Sequence, residues 1–242
     1  MSVPNPPSAA GAQEEILASL RRLRNRVRVR ARAGLLDEAV ETMNGLGFHV
    51  VRLAARDDVI TCILGIIPSG AIVAYHPCVV GRTVGLANAL QAEGRTVVIL
   101  PGDGEPDRRN GSWRDDLLVA QFGITGANAL VADTGSLLLA EELGFGRAAS
   151  NVPPVHIALA TADSVVESLL DAVLIARGYA AMHLNRAVPR YVSLISGPSK
   201  TADIGFTLVH GMHGPRTVHV LIWENPKGAE MNDEALRAWV LA

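Results

Sequence analysis

The chain has 242 residues, 49% of them hydrophobic and 19% charged, with a formal net charge of −2. That length supplies a substantial core for one large domain or two small ones, and the near-neutral balance argues against a general polyanion binder. Two cysteines, Cys62 and Cys78, cannot build a disulfide scaffold, a C-x-x-C zinc or redox site, or the usual four-thiolate iron–sulfur cluster.

Residues 1–12 lack an apolar core, which argues against a secretory signal and predicts a disordered tail. Over 13–34 the spacing of Ile16, Leu17, Leu20 and Leu23 predicts a helix, with Glu14 and Glu15 at the positive end of its dipole. That helix runs into a basic block of Arg21, Arg22, Arg24, Arg26, Arg28, Arg30 and Arg32. Lysine occurs only at Lys200 and Lys227, so the preference for arginine is global. Without interleaved aromatics the block reads as a solvated helix face more readily than as a nucleic-acid arm.

Next come a helix over Leu35–Leu46 ending at Gly47, a strand over Phe48–Leu53, and a helix over Asp57–Ile67 ending at Pro68. An apolar strand at Ala71–Tyr75, a helix at Thr83–Ala92 and a strand at Thr96–Leu100 follow. This rhythm predicts an α/β fold: a mostly parallel layered sheet with helices on both faces. Gly102–Asn110 reads as a mobile loop and Trp113–Gln121 as a short helix. Further strands are expected at Ala129–Ala132, Leu137–Leu139, Val155–Leu159, Val192–Ile195 and Val218–Ile222. A helix over Ser164–Ala181 would present Leu169, Val173 and Ala176 on one face. Apolar runs such as Ile63–Ile67 are far short of the roughly 20 residues of a membrane span, so the expectation is a soluble cytoplasmic protein. Residues 35–225 would form a single domain and 226–242 a C-terminal helix.

Three glycine-bearing turns concentrate the chemistry. The first runs through Gly123, Thr125, Gly126 and Asn128 and continues into Asp133, Thr134, Gly135 and Ser136. The second holds Ser196, Gly197, Ser199, Lys200, Thr201 and Asp203, and the third holds His210, His213 and Gly214. Glycine beside hydroxyl residues lets a turn offer backbone N–H groups to an oxygen-rich ligand, and α/β sheets bind ligands beyond strand carboxyl ends. Thr125, Gly126, Thr134, Gly135, Ser136, Ser196, Gly197, Ser199, Lys200, Thr201, His213 and Gly214 are therefore ligand-binding candidates, with Asp133 and Asp203 as candidate catalytic carboxylates. Each turn taken singly is equally the chemistry of ordinary tight turns and caps. A nucleotide phosphate loop fails, because Ser199 and Leu194 stand where its two glycines belong. A metal site from His210 and His213 with His156 or Asp203 is opposed by the flanking glycines, and no metal is expected. There is no G-x-S-x-G elbow for a serine hydrolase.

Together, GITGANALVADTGSLLL at 123–139, PPVHIAL at 153–159, LISGPSKTADI at 194–204 and HGMHGP at 210–215 resemble the LUD domain of the lactate-utilisation protein C family. The resemblance covers Phe122–Ile222 and implies a fold related to CoA transferases and sugar-phosphate isomerases. It implies a non-redox subunit of a system oxidising L-lactate to pyruvate, binding a small anionic metabolite or docking iron–sulfur partner subunits. On that reading this chain carries no cofactor of its own, the clusters belong to its partners, and self-association as a homo-oligomer is open. The alternative is a stand-alone enzyme of CoA-transferase or isomerase type acting on an acyl or phosphorylated substrate. Two positions depart from the family: Asp133 stands where Glu is usual, retracting the carboxylate by one methylene, and Gly205 stands where another Glu is usual.

Overall fold

A computed structural model describes residues 9–31, 34–102, 113–184, 186–202 and 208–224. Residues 1–8 of the expected tail, 103–110 of the expected loop, Asp203, Gly205 and the expected C-terminal helix lie outside the described residues. So do Arg32 and the side chains of Arg24, Arg26, Arg28 and Arg30.

The chain opens with α1 (Ala9–Ala31), α2 (Leu35–Gly45), β1 (His49–Leu53), α3 (Arg56–Ile66), β2 (Ile72–Tyr75), α4 (Val79–Val84), α5 (Leu86–Ala92) and β3 (Thr96–Ile99). It continues through α6 (Trp113–Val119), β4 (Phe122–Gly126), β5 (Ala129–Val131), β6 (Ser136–Glu141), α7 (Phe145–Asn151), β7 (Val155–Thr161) and β8 (Val165–Val166). The last described elements are α8 (Leu169–His183), β9 (Tyr191–Ile195), β10 (Lys200–Ala202), β11 (Leu208–His210) and β12 (Thr217–Trp223).

Six strands form a wholly parallel sheet in the order β1-β12-β7-β4-β2-β3. Alternation along each strand divides its two faces. Val73, Ile124, Ile157, Leu159 and Leu221 point to one side, where they pack with Val59 and Ile63 of α3, Val80 of α4 and Leu90 of α5. Ala158, Ala160, Val218, Val220 and Ile222 point to the other, against Leu35, Ala39 and Met43 of α2 and Leu130 and Leu137 of a second sheet. Helices α6 and α7 cover the rest of that face through Leu117 and Phe145. The expected parallel sheet between helices is therefore present, with a second sheet inserted on one side. That second sheet is β8-β5-β6-β9, and its outer face is closed by α1 and α8. Gly178 of α8 lets Leu20 of α1 come so close that an added Cβ would sit 2.5 Å from Leu20 Cδ1.

Three expectations need correction. The segment Ser164–Ala181 is not one helix: Val165–Val166 pairs with β5, and α8 starts only after Ser168, whose side chain accepts from the Asp171 N–H while Asp171 reaches back to the Ser168 N–H. With that start, Leu169 and Val173 are exposed and Ala176 is buried, so the three do not share a core face. The helix expected at Thr83–Ala92 is two helices, broken at Gly85 with φ 70°. Most consequentially, Gly123 and Gly126 are not in a turn but in β4, at the centre of the sheet.

Candidate functional site

Parallel strands that end at one level leave their carboxyl ends free to frame a crevice. Here β2 hands over to His76, whose N–H donates to the Ile124 carbonyl (2.9 Å), and the Leu100 N–H donates to the Tyr75 carbonyl (2.8 Å). Beyond these ends lies a cavity of about 160 Å³, lined by His76, Cys78, Arg82, Gly126, Asn128 and Glu141 among others.

Each polar group reaches this cavity for a local reason. Cys78 is the N-cap of α4, its sulfur accepting from the Gly81 N–H at 3.4 Å, and burial pushes its thiol up to about 11. The same helix projects Arg82, which is exposed and makes no ion pair among the described residues. Asn128 follows β4 and accepts from the Ala140 N–H at 2.7 Å, joining the strand end to β6. Glu141, buried at the end of β6, accepts from the N–H groups of Gly146 (2.7 Å) and Arg147 (2.6 Å). It thereby caps α7, whose own N-cap is Gly144 and offers no side chain. A Cβ on Gly146 would lie 3.1 Å from both Glu141 Oε2 and His76 Nδ1, so the carboxylate and the imidazole both border this glycine. The crevice thus combines an exposed guanidinium with a histidine, a carboxamide and a carboxylate that caps a helix.

Beneath the floor, Thr125 Oγ1 donates to the Gly126 carbonyl (2.8 Å) and lies 2.9 Å from His156 Nε2. With the hydroxyl hydrogen so used, Nε2 carries the imidazole proton and Nδ1, which has no partner, is bare. Burial pushes His156 down to about 3 and keeps it neutral. It anchors a side chain and, through it, the strand end.

The residues expected from the sequence to bind ligand fall into three groups. Gly126 lines the cavity, with Thr125 directly behind it. A second group gathers around the end of α2. Gly135 (φ 61°) packs against Thr42 and Leu46, Gly197 (φ 112°) against the Leu46 carbonyl, and Lys200 Nζ donates to that carbonyl at 2.9 Å. Ser136 Oγ and Ser196 Oγ are 2.6 Å apart, Thr134 Oγ1 is buried without a partner, and Asp133 is exposed. Lys200 thus supplies a cation where helix carbonyls end. A third group is formed by Ser199, which accepts from the His213 N–H at 3.2 Å, and by Gly214 against it. Thr201 pairs with Val209 in the β10–β11 hairpin. Among the described residues no three His, Cys, Asp or Glu side chains gather as a metal site would require. Sequence reasoning placed Asn128 in the first turn without making it a ligand candidate, and passed over His76, Arg82 and Glu141. The available signal was His76-Pro77-Cys78 directly after an apolar strand, the position where such sheets place ligands.

A profile of the LUD domain family matches residues 36–223, extending the resemblance well upstream of Phe122. An uncharacterized protein of Neisseria meningitidis serogroup B is 35% identical over 116 residues, 48% of each chain. Lactate utilization protein C of Bacillus subtilis is 34% identical over 104 residues, 43% of this chain and 42% of that protein. The protein of that name from Macrococcus caseolyticus is 34% identical over 96 residues, 40% of this chain and 41% of the other. The matched part spans about half the length of these relatives, or less. Among solved structures, a DUF162 family protein from Deinococcus radiodurans superposes with a TM-score of 0.52 at 18% identity, covering 79% of this chain and 98% of that one, and shares the fold. No helix among the described residues is long and apolar enough to cross a membrane.

Proposed function

The chain belongs to the LUD domain family, and on that premise we propose that it serves lactate utilization as a cytoplasmic component without a redox centre, holding a small carboxylate in the crevice beyond β2 and β4. The observation that carries this reading is Arg82, a guanidinium that lines a cavity sized for a metabolite of a few carbons and has no ion-pair partner among the described residues. Arginine grips a carboxylate through two parallel N–H donors, and Asn128 and Tyr179 line the same cavity within reach of a hydroxyl or keto oxygen. With two cysteines in the whole chain, the oxidation itself falls to iron–sulfur partner subunits, beside which this protein binds or presents the acid.

Calorimetric titration with L-lactate and with pyruvate tests this reading. Binding is expected in the wild type and weakened about tenfold or more in Arg82→Ala, the worth of one charge-assisted contact. Absence of binding to either acid, alone or with iron–sulfur partners, refutes it, as does equal binding by the variant.

The placing of His76 and Glu141 beside Gly146 in one cavity favours a second reading, an enzyme of CoA-transferase or isomerase type with these two groups moving the proton. Turnover of acyl-CoA or sugar-phosphate substrates that is lost in His76→Ala and Glu141→Gln, and kept in Asp133→Asn, would select it. No turnover in the wild type removes it.

A further inference from the structure

Strand β9 closes the second sheet with one edge only. β6 pairs with it along Tyr191–Ile195, and no strand among the described residues takes its outer edge. Its sequence, Tyr191-Val192-Ser193-Leu194-Ile195, holds no charge, proline or glycine, and Tyr191, Val192 and Leu194 are each more than a third exposed. Edge strands are ordinarily blunted by lysine, proline, a bulge or a covering segment, because their free N–H and C=O groups template another strand. Among the described residues none of these devices protects β9. Alongside it runs a groove of about 670 Å³ whose opposite wall carries Arg147 and Asn151 of α7 and His213 of the turn before β12. Among the described residues no carboxylate lines the groove, and neither the Arg147 guanidinium nor the His213 imidazole has an acidic partner.

We propose that this groove receives an extended acidic segment of a partner protein, which adds to the sheet as a fifth strand beside β9. Main-chain hydrogen bonds to the free edge give the affinity, and acidic side chains facing Arg147 and His213 give the register. Charge selects this occupant over a second copy of the chain. A second copy pairing through its own β9 would bring Tyr191–Ile195, which holds no carboxylate to face Arg147. The inference rests on the proposal that the chain works beside partner proteins. Its test uses no lactate-linked readout, so the two fail separately.

The probe is a blocked seven-residue peptide alternating Glu and Val, added to the full chain and read by amide hydrogen exchange. Exchange across 191–195 is expected to slow on adding it. Binding should weaken about fivefold in the Arg147→Ala/His213→Ala double variant. It should weaken further in Val192→Glu, a surface change that leaves the fold intact. The same peptide with Lys for Glu, or N-methylated at alternate residues, should not slow exchange. Unchanged exchange at β9, or equal slowing by the Lys or N-methylated peptide, overturns the proposal. Slowing that grows with protein concentration in the absence of peptide also overturns it and assigns the edge to a second copy.

Discussion

Gly123 sits inside β4 beneath α7, where a Cβ would fall far inside van der Waals contact distance of the Ala149 carbonyl oxygen, 2.9 Å from its carbon and 3.1 Å from Pro153 Cγ. Because the obstacle is backbone, no rotamer change relieves Gly123→Ala; α7 must lift away from the sheet. Overpacking of this kind costs about 3 kcal/mol, which for a domain of this size lowers Tm by roughly 6–12 °C. The site should suffer with the fold, since α7 carries Gly146 and the N–H groups that hold Glu141. Urea unfolding of Gly123→Ala is therefore expected to show an early midpoint and lost carboxylate binding. Gly65→Ala is the control: Gly65 lies in α3 with open space where its Cβ would go, and the change should stabilise by up to about 1 kcal/mol. If Gly123→Ala unfolds within about 0.5 kcal/mol of wild type, the close approach of α7 to β4 is wrong.

The neutral His156 makes stability depend on pH. Its folded pKa, about 3, lies below the ordinary value of 6.5, so the unfolded chain takes up the proton first on acidification. Its contribution is complete above pH 6.5 and drains away as pH falls toward 3, by at most about 1.4 kcal/mol per unit. Denaturant midpoints for wild type and His156→Gln should converge over that window; parallel curves contradict the assignment. Cys78→Ala removes an N-cap and should cost about 1 kcal/mol in thermal unfolding, whereas Cys78→Ser should cost little; equal losses would show that the cap contributes nothing. Because burial raises both thiols, a disulfide reagent at pH 7.5 should label native Cys62 and Cys78 slowly and unfolded protein fast. Arg52 joins Asp37 of α2 and Glu224 after β12, yet is 41% exposed, so Arg52→Ala should cost under about 1 kcal/mol and less in high salt; a loss above 2 kcal/mol would mark the cluster as structural.

The parallel sheet was legible because its strands read as short apolar runs between helices: Ala71–Tyr75 and Thr96–Leu100 contain β2 and β3, while Val155–Leu159 and Val218–Ile222 lie within the longer β7 and β12. The stripe Ile16, Leu20, Leu23 likewise marked the face that α1 lays on α8. Elements set by tertiary contact were not legible. Gly123-Ile-Thr-Gly126 has the composition of a turn, and only the proximity of α7 explains why Gly123 occupies a central strand. The two-residue β8 exists because β5 pairs with it, and α7 is capped by Glu141, a residue outside its own sequence. The candidate site was half legible for the same reason. Glycine and hydroxyl motifs drew attention to strand ends, and Gly126 is at the crevice, but the DTGS and SGPSK turns converge on Leu46 of the α2 terminus. Side chains that enter from separate strands, such as His76 and Glu141, share no sequence motif.

The crevice beyond β2 and β4 is the centre of this account, and amide chemical-shift mapping with pyruvate tests it most directly. Titration of the labelled full chain is predicted to move resonances at His76, Arg82, Gly126, Asn128 and Gly146 together, and to leave Gly135, Gly197 and Lys200 in place. Shifts confined to the turns around Leu46, or none at all, would contradict it.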